Sequence, residues 1–433
     1  MSLSLKVGGS SPLVVSVDRS ARSLRKALFH VVLVCFASTL PAAASAAQRV
    51  PLLPVPSGTH SVGTRYFFFV DSSRPDPTGR KGFGGRAIPV QMWYPAAAGA
   101  DGPRAPYISR AAMLDAIVRQ RYYGVDSTLL ADWAGIVTHS RVRATVLPGK
   151  HPLVTLSAGL GVATANYTAI AEDLASHGYI VAGIDHPYEG VAVLPGDIIV
   201  TADDDTANSS DDAAVQRHQI SSWATDISFV LDRLQHSRVD SGESSVAHAI
   251  DWSRVGAFGH SSGGLIAVQA CEHDARLRAC VNLDGGPADP QNNPIADFVN
   301  EGLRRPTLFL LEQPIYSDSD LARRHMTRAQ FESGRGNFAA LVDSLKRRAR
   351  APFYLGRIAG TGHFSFSDAP FVMPTTITRF GGRIIDGRRG LRIITVVLRT
   401  FFQQNFAMGD GARVTDLSTQ FGELTFQVPS AGR

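Results

Sequence analysis

The stretch Arg254-Val255-Gly256-Ala257-Phe258-Gly259-His260-Ser261-Ser262-Gly263-Gly264-Leu265 decides how the rest of the chain is read. An apolar run suited to a buried strand leads into a G-x-S-x-G pattern, and a segment able to start a helix follows. A sharp strand-to-helix turn at such a pattern strains its serine and projects the hydroxyl, while the two glycines remove side chains that would clash across the turn. A helix beginning after Ser261 also aims backbone N–H groups, and the positive end of its dipole, at negative charge developing there. Ser261 is therefore the candidate nucleophile.

Outward from this stretch, strands and helices alternate. Short apolar runs at His151–Ser157, Tyr179–Ile184, Arg254–Phe258, Ala279–Leu283, Thr307–Leu311 and Phe353–Ile358 read as buried strands. Between them, Tyr167, Ile170, Ala171 and Leu174 recur at helical spacing up to Gly178, as do Ile220, Trp223, Ile227, Val230 and Leu234. A closing helix from about Leu391 carries Ile394, Val397, Leu398, Phe401 and Phe402 on one face. This rhythm predicts an α/β fold with a mostly parallel central sheet covered by helices on both faces. Upstream, Arg65 to Pro95 alternates and turns like antiparallel strands, and Ala111 to Ile136 reads as helices inserted before the next strand, the third in this count. Residues 190–216 read as a solvated acidic loop. Counted from Asp203, an EF-hand there fails because Asn208 stands where the calcium loop needs glycine.

A serine hydroxyl needs a general base, and the base needs a carboxylate to orient it. After a nucleophile of this kind the chain order is Ser, then Asp or Glu, then His. Downstream, His325 falls in a charged, helix-like stretch, Leu321 to Gln330, whereas His363 follows the last expected strand in Gly360-Thr361-Gly362-His363-Phe364. His363 is the candidate base. Position leaves two acids in competition: Asp284 ends one strand and Glu312 the next, with Asp318 and Asp320 in the polar loop beyond. An oxyanion hole takes one N–H from the residue after the nucleophile, here Ser262, and one from the loop Ser157-Ala158-Gly159-Leu160-Gly161, best Leu160. That loop is a poor dinucleotide fingerprint, since no third glycine follows.

The run from Pro152 through Ser157-Ala158-Gly159-Leu160-Gly161 and on through Ala169 to Ala182, with Gly259-His260-Ser261-Ser262-Gly263-Gly264 and Leu283-Asp284, resembles the plasma-type platelet-activating factor acetylhydrolases (isoform II) over roughly Arg65 to Phe406. The resemblance implies an α/β-hydrolase fold and an esterase that removes short acyl chains from phospholipids. It also implies Ser261, Asp284 and His363 as the triad, favouring Asp284 over Glu312, and Leu160 with Ser262 as the oxyanion hole. Bacterial relatives are often broad short-chain esterases or polyesterases, which is the alternative expectation. The chain departs from the family at Ala158, where a histidine is usual, and after His363. Those departures leave the triad intact. A catalytically silent binding protein of the same fold would have no reason to keep all three residues.

Composition narrows the partners. The net charge is +5 over 433 residues. Much of it comes from Lys6, Arg19, Arg22, Arg25 and Lys26, which precede an apolar run Ala27–Leu40 and an Ala44-Ser45-Ala46 cleavage pattern. Residues 1–46 thus read as an export signal, and residues 47–433 as a single domain near +1, secreted or periplasmic, with no nucleic-acid partner. Of three cysteines, Cys271 and Cys280 remain after cleavage, a pair that permits one disulfide in an oxidising compartment. No cofactor is expected and no metal-ligand spacing is present. The arginines Arg379, Arg383, Arg388, Arg389 and Arg392 read as a solvated face that could make transient contact with a lipid surface.

Overall fold

The computed structural model describes residues 52–427, except 77, 79–81, 110–112, 115, 118–127, 203–211, 238–241, 289–292, 324, 375–383 and 410. Gln48–Arg433 form one compact unit. The expected export signal lies outside the described residues, as do Arg379 and Arg383. Among the described residues no helix is long and apolar enough to cross a membrane.

Thirteen strands follow in chain order: β1 (Ser61–Asp71), β2 (Arg86–Ala96), β3 (Arg104–Pro106), β4 (Val137–Val142), β5 (His151–Ser157), β6 (Ile180–Ile184), β7 (Ala192–Leu194), β8 (Ile198–Val200), β9 (Ile250–His260), β10 (Leu277–Leu283), β11 (Thr307–Gln313), β12 (Phe353–Ala359) and β13 (Leu424–Gln427). Eleven form one sheet in the order β13-β12-β11-β10-β9-β5-β6-β2-β1-β4-β3, and β7 pairs with β8 apart from it. From β6 to β12 every pair is parallel, while β2 against β6 and β13 against β12 are antiparallel.

The main helices are α1 (Thr128–Gly135), α2 (Thr168–Ser176), α3 (Ala213–Gln235), α4 (Ser262–His273), α5 (Arg328–Arg348) and α6 (Gly387–Asn405). Each parallel crossover carries its helix to one face or the other, so both faces are apolar. Along β11, Phe309 and Leu311 pack with α3, α4 and α5, whereas Leu308 and Leu310 pack with α2 and α6. That alternation is the period of two of a strand covered on both sides. Cys271 on α4 and Cys280 on β10 are joined by a disulfide, their Cα atoms 6.3 Å apart.

The structure departs from the sequence expectations in three places. The sheet extends beyond the stretch that carries the family resemblance, roughly Arg65 to Phe406, at both ends, to Ser61 and to β13. Two strands, β3 and β4, enclose the expected helical insertion, so His151–Ser157 is the fifth strand rather than the third. β4 escaped the apolar pattern because its buried positions are Thr138 and Ser140. Their hydroxyls are satisfied by the Ala105 carbonyl and the Glu172 carboxyl. Of the insertion itself, α1 and the helical residues 113–114 and 116–117 are described. Finally, residues 192–200 form the β7–β8 hairpin with Ala192, Leu194 and Val200 buried, instead of a solvated loop. The acidic part, 203–211, lies outside the described residues.

One buried ionic cluster ties the antiparallel edge to the parallel core. Asp226 on α3 receives Arg86 Nε at 2.7 Å, Arg86 Nη2 at 2.8 Å and Arg74 Nη2 at 2.6 Å. His186 Nδ1 lies 3.0 Å from Asp226 Oδ2, the oxygen that also accepts Arg86 Nη2, and His186 Nε2 lies 2.9 Å from Ser157 Oγ at the end of β5. Burial alone pushes the Asp226 carboxyl up, but the Arg86 charge, the His186 hydrogen bond and the Arg86 hydrogen bonds together hold it well below the usual carboxylate range. Burial lowers the His186 pKa and so favours its neutral ring, Nδ1–H donating to Asp226 and Nε2 accepting from Ser157. Arg86→Met removes the main counter-ion of a buried carboxylate and is expected to cost about 3 kcal/mol of stability. The shift in urea midpoint at neutral pH, against native protein, measures it.

Candidate active site

β9 runs straight into α4 at Ser261, whose φ of 57° and ψ of −127° lie outside the usual regions for a residue with a side chain. The turn is tight on every side. A Cβ on Gly259 would sit 2.1 Å from the Gly263 carbonyl oxygen, and one on Gly263 would sit 2.0 Å from that of Ala158. The strained turn is held by Ser261 N–H donating to the Leu283 carbonyl at 2.9 Å. One strand further on, Asp284 is also left-handed, with φ 58°, and its N–H donates to the Leu310 carbonyl at 3.0 Å. Asn282 braces this second turn, accepting from Gly285 N–H at 2.7 Å and donating to the Gly285 carbonyl at 2.8 Å.

These turns bring together three residues that are far apart in sequence. His363 Nε2 lies 3.1 Å from Ser261 Oγ, and His363 Nδ1 lies 2.7 Å from Asp284 Oδ2. The other Asp284 oxygen accepts the Glu312 backbone N–H at 2.8 Å. Of the two competing acids, Asp284 therefore reaches His363, and Glu312 contributes its main chain to holding Asp284. Burial lowers the His363 pKa, but the Asp284 hydrogen bond and charge, aided by the Glu312 charge, outweigh it and raise the pKa above the ordinary histidine value. His325 lies in the turn between two helices, Asp318–Arg323 and α5, at φ 53°.

Both expected oxyanion donors flank Ser261. On the β5 side, Gly159 N–H donates to the Tyr167 hydroxyl and Gly161 N–H to the Glu189 carbonyl. Leu160 stands between them and, with Ser261 and Ser262, lines a cavity of about 240 Å³. Ser262 opens α4, where the first N–H groups of a helix have no partner within it.

Several supporting residues carry no sequence signal of their own. His260 Nε2 lies 2.9 Å from the His363 carbonyl, which can only accept, so that nitrogen carries the proton. His260 Nδ1 then accepts from the Tyr167 hydroxyl at 2.8 Å, and Tyr167 in turn accepts from Gly159 N–H. This chain of hydrogen bonds ties the candidate oxyanion loop to the loop of the candidate base. Burial, with the neighbouring His363, holds the His260 pKa well down and its ring neutral. Glu189 is fully buried and accepts from Ser262 Oγ at 2.7 Å. Burial raises its pKa to about 8, so it is mostly protonated, and mostly uncharged beside the candidate oxyanion donors, at neutral pH. Only Asp226 left a trace in the sequence, as a charge inside the apolar stripe of α3. His260, Asp284 and His363 also form the one trio of potential metal ligands among the described residues. Their donor atoms are engaged with one another, with Ser261, with Tyr167 and with backbone groups.

Comparison with known proteins adds to this geometry. The family described as "Platelet-activating factor acetylhydrolase, isoform II" matches residues 136–416, well over half of the chain. The chain is similar to "Platelet-activating factor acetylhydrolase" of Cavia porcellus, 27% identical over 40% of this chain and 42% of that protein. It is also similar to "Probable 1-alkyl-2-acetylglycerophosphocholine esterase" of Arthroderma benhamiae, 27% identical over 64% of this chain and 66% of that one. The match thus spans less than half of the first relative's length and just under two thirds of the second's. A solved structure, "Ferulic acid esterase from Streptomyces cinnamoneus", superposes with a TM-score of 0.67 at 26% identity, covering 88% of this chain and all of that one.

The electrostatics make a direct prediction. Carboxylates stabilise the charged form of His363, so its imidazole should titrate above the ordinary histidine value, and Glu312→Gln should move the titration to lower pH. NMR of the histidine ring protons reads both, and an upward or absent shift in the variant would contradict the assignment.

Proposed function

The chain belongs to the platelet-activating factor acetylhydrolase, isoform II family, and on that premise we propose that it is a serine hydrolase of carboxylic esters with Ser261 as nucleophile. The observation that carries this reading is the hydrogen-bonded line from Ser261 Oγ through His363 to Asp284, set at a strained strand-to-helix turn. His363 takes the Ser261 proton as Oγ attacks the acyl carbon, and Asp284 orients the ring and stabilises its charged form. The Leu160 and Ser262 amides receive the oxyanion. His363 returns the proton to the departing alcohol, leaving the acyl group on Ser261. It then activates a water that releases the acid and restores the serine.

An acetyl or other short-acyl phospholipid is the substrate class we favour, on the strength of the relatives' printed names. The cavity at Ser261, about 240 Å³ with Trp223, Gln216 and Gln219 in its wall, has more room than an acetyl group fills. That observation favours a second reading, a broader esterase that also accepts larger acyl groups, in line with the ferulic acid esterase neighbour. Export is proposed as well, because the leader pattern of residues 1–46 and the Cys271–Cys280 disulfide both suit an oxidising compartment.

Hydrolysis of a chromogenic acetyl ester tests the mechanism. Ser261→Ala should lose roughly 10⁴-fold or more in kcat, and Asp284→Asn a comparable amount through the wrong tautomer of His363. Glu312→Gln should cost no more than about tenfold, since its main chain remains. Equal rates for native protein and Ser261→Ala would sink the mechanism, and a larger loss in Glu312→Gln than in Asp284→Asn would reassign the acid.

A further inference from the structure

Two clefts border the candidate triad and share Gly286, one lined by Ser261 and the other by His363, and the chemistry of ester cleavage distinguishes them. One, of about 240 Å³, is walled by Leu160, Ser261 and Ser262 and then by Ile220, Trp223 and Leu265. The other, of about 380 Å³, is walled by His363, Asp284 and Glu312 on one side and by Met326, Phe331 and Phe338 on the other. Gly286 lines both, and a Cβ there would meet nothing within 4 Å. The larger cleft falls within the size range of sites that enclose small ligands.

When the acyl–oxygen bond breaks, the acyl carbon stays on Ser261 Oγ, beside the Leu160 and Ser262 amides. The alcohol oxygen takes its bonding pair and receives the proton held at His363 Nε2. The alcohol portion must therefore leave past His363, and the acyl portion must lie on the side of the oxyanion donors. We propose that the cleft between His363 and α5 is the alcohol subsite, built for a bulky, mainly apolar or aromatic alcohol, and that the cleft at Leu160 and Trp223 takes the acyl group. This assignment rests on the serine-esterase reading above.

A helix glycine in the wall gives a position at which to probe it. Gly334 lies inside α5 and lines the larger cleft, and a Cβ at that position would meet nothing within 4 Å. Glycine weakens a helix interior relative to alanine, so it is a poor choice where a side chain would fit. Gly334 is exposed and, like Gly336 on the same helix, has open space where a Cβ would be, so a longer side chain can be introduced at the cleft wall without a clash. Phe331, one helical turn earlier on α5, supplies an aromatic wall and is held edge-on against Tyr316, ring centroids 5.5 Å apart. Arg357 sits at the rim beside the Phe338 ring, 5.9 Å from its centroid.

Three esters separate the two clefts: ethyl butyrate, phenethyl butyrate, which enlarges only the alcohol, and ethyl hydrocinnamate, which enlarges only the acyl group. The two alcohols are both simple primary alkanols, so leaving-group chemistry is nearly matched. For Gly334→Leu, the ratio of kcat/KM for phenethyl butyrate over ethyl butyrate should fall about tenfold or more from its native value. The ratio for ethyl hydrocinnamate over ethyl butyrate should stay within about twofold. Phe331→Ala should lower the same alcohol ratio by removing the wall, and it decides the matter if Gly334→Leu fails to fold. An unchanged alcohol ratio, or a fall in the acyl ratio instead, overturns the assignment while leaving the esterase reading standing. Native protein that turns over none of the three esters overturns the assignment alone if it still cleaves the chromogenic acetyl ester, and overturns both readings if it does not.

Discussion

The rest of the structure depends on one turn that is possible only because side chains are absent. At Ser261 the chain leaves β9 and enters α4 with a backbone conformation that costs about 1–3 kcal/mol for a residue with a side chain. The cost is tolerated because the surroundings permit no other path. Gly259 approaches Gly263 across the turn, Gly263 lies on the Ala158 and Ser157 carbonyls, and Gly264 lies against Asn282. The same crowding sets β5, β9 and β10 side by side at their carboxyl ends, so the candidate oxyanion loop, the candidate nucleophile and the candidate acid emerge on one edge of the sheet.

Around that edge the polar groups form two separate braces. The first is the ionic cluster of Arg74, Arg86, Asp226 and His186, which reaches Ser157 at the root of the oxyanion loop. The second runs from Gly159 through Tyr167 and His260 to the backbone of His363. Both histidines are buried with depressed pKa values, so each acts as a fixed neutral donor–acceptor pair rather than a switch. His363 is the exception, half-buried and biased by two carboxylates toward its charged form. One residue type thus serves two purposes, and burial against charge decides which.

Much of the site was legible because its chemistry is local or ordered. The glycines around Ser261 announce the turn, and chain order with glycine flanks isolates His363 among the later histidines. The alternation of apolar strands and helices announces the sheet. What remained hidden was hidden for physical reasons. Glu312 and Asp284 each end a strand, and only the stagger of β10 against β11 shows that Asp284 turns toward His363 while Glu312 offers a backbone N–H. β4 buries Thr138 and Ser140, whose hydroxyls find partners in distant segments, so no apolar alternation marks it. The β7–β8 hairpin is too short for periodicity to reveal.

The sequence by itself determined the α/β architecture, the candidate nucleophile, the candidate base and the two candidate donors beside them, because a strained turn, a strand period and a chain order are written in consecutive residues. Only the tertiary structure decided which carboxylate reaches the candidate base, that Cys271 meets Cys280, that Glu189 and His260 brace the candidate site, and that one cleft is lined by Ser261 and another by His363. Those features depend on distances between segments a hundred residues apart, set by sheet register and by which face each helix covers, and no local pattern encodes them.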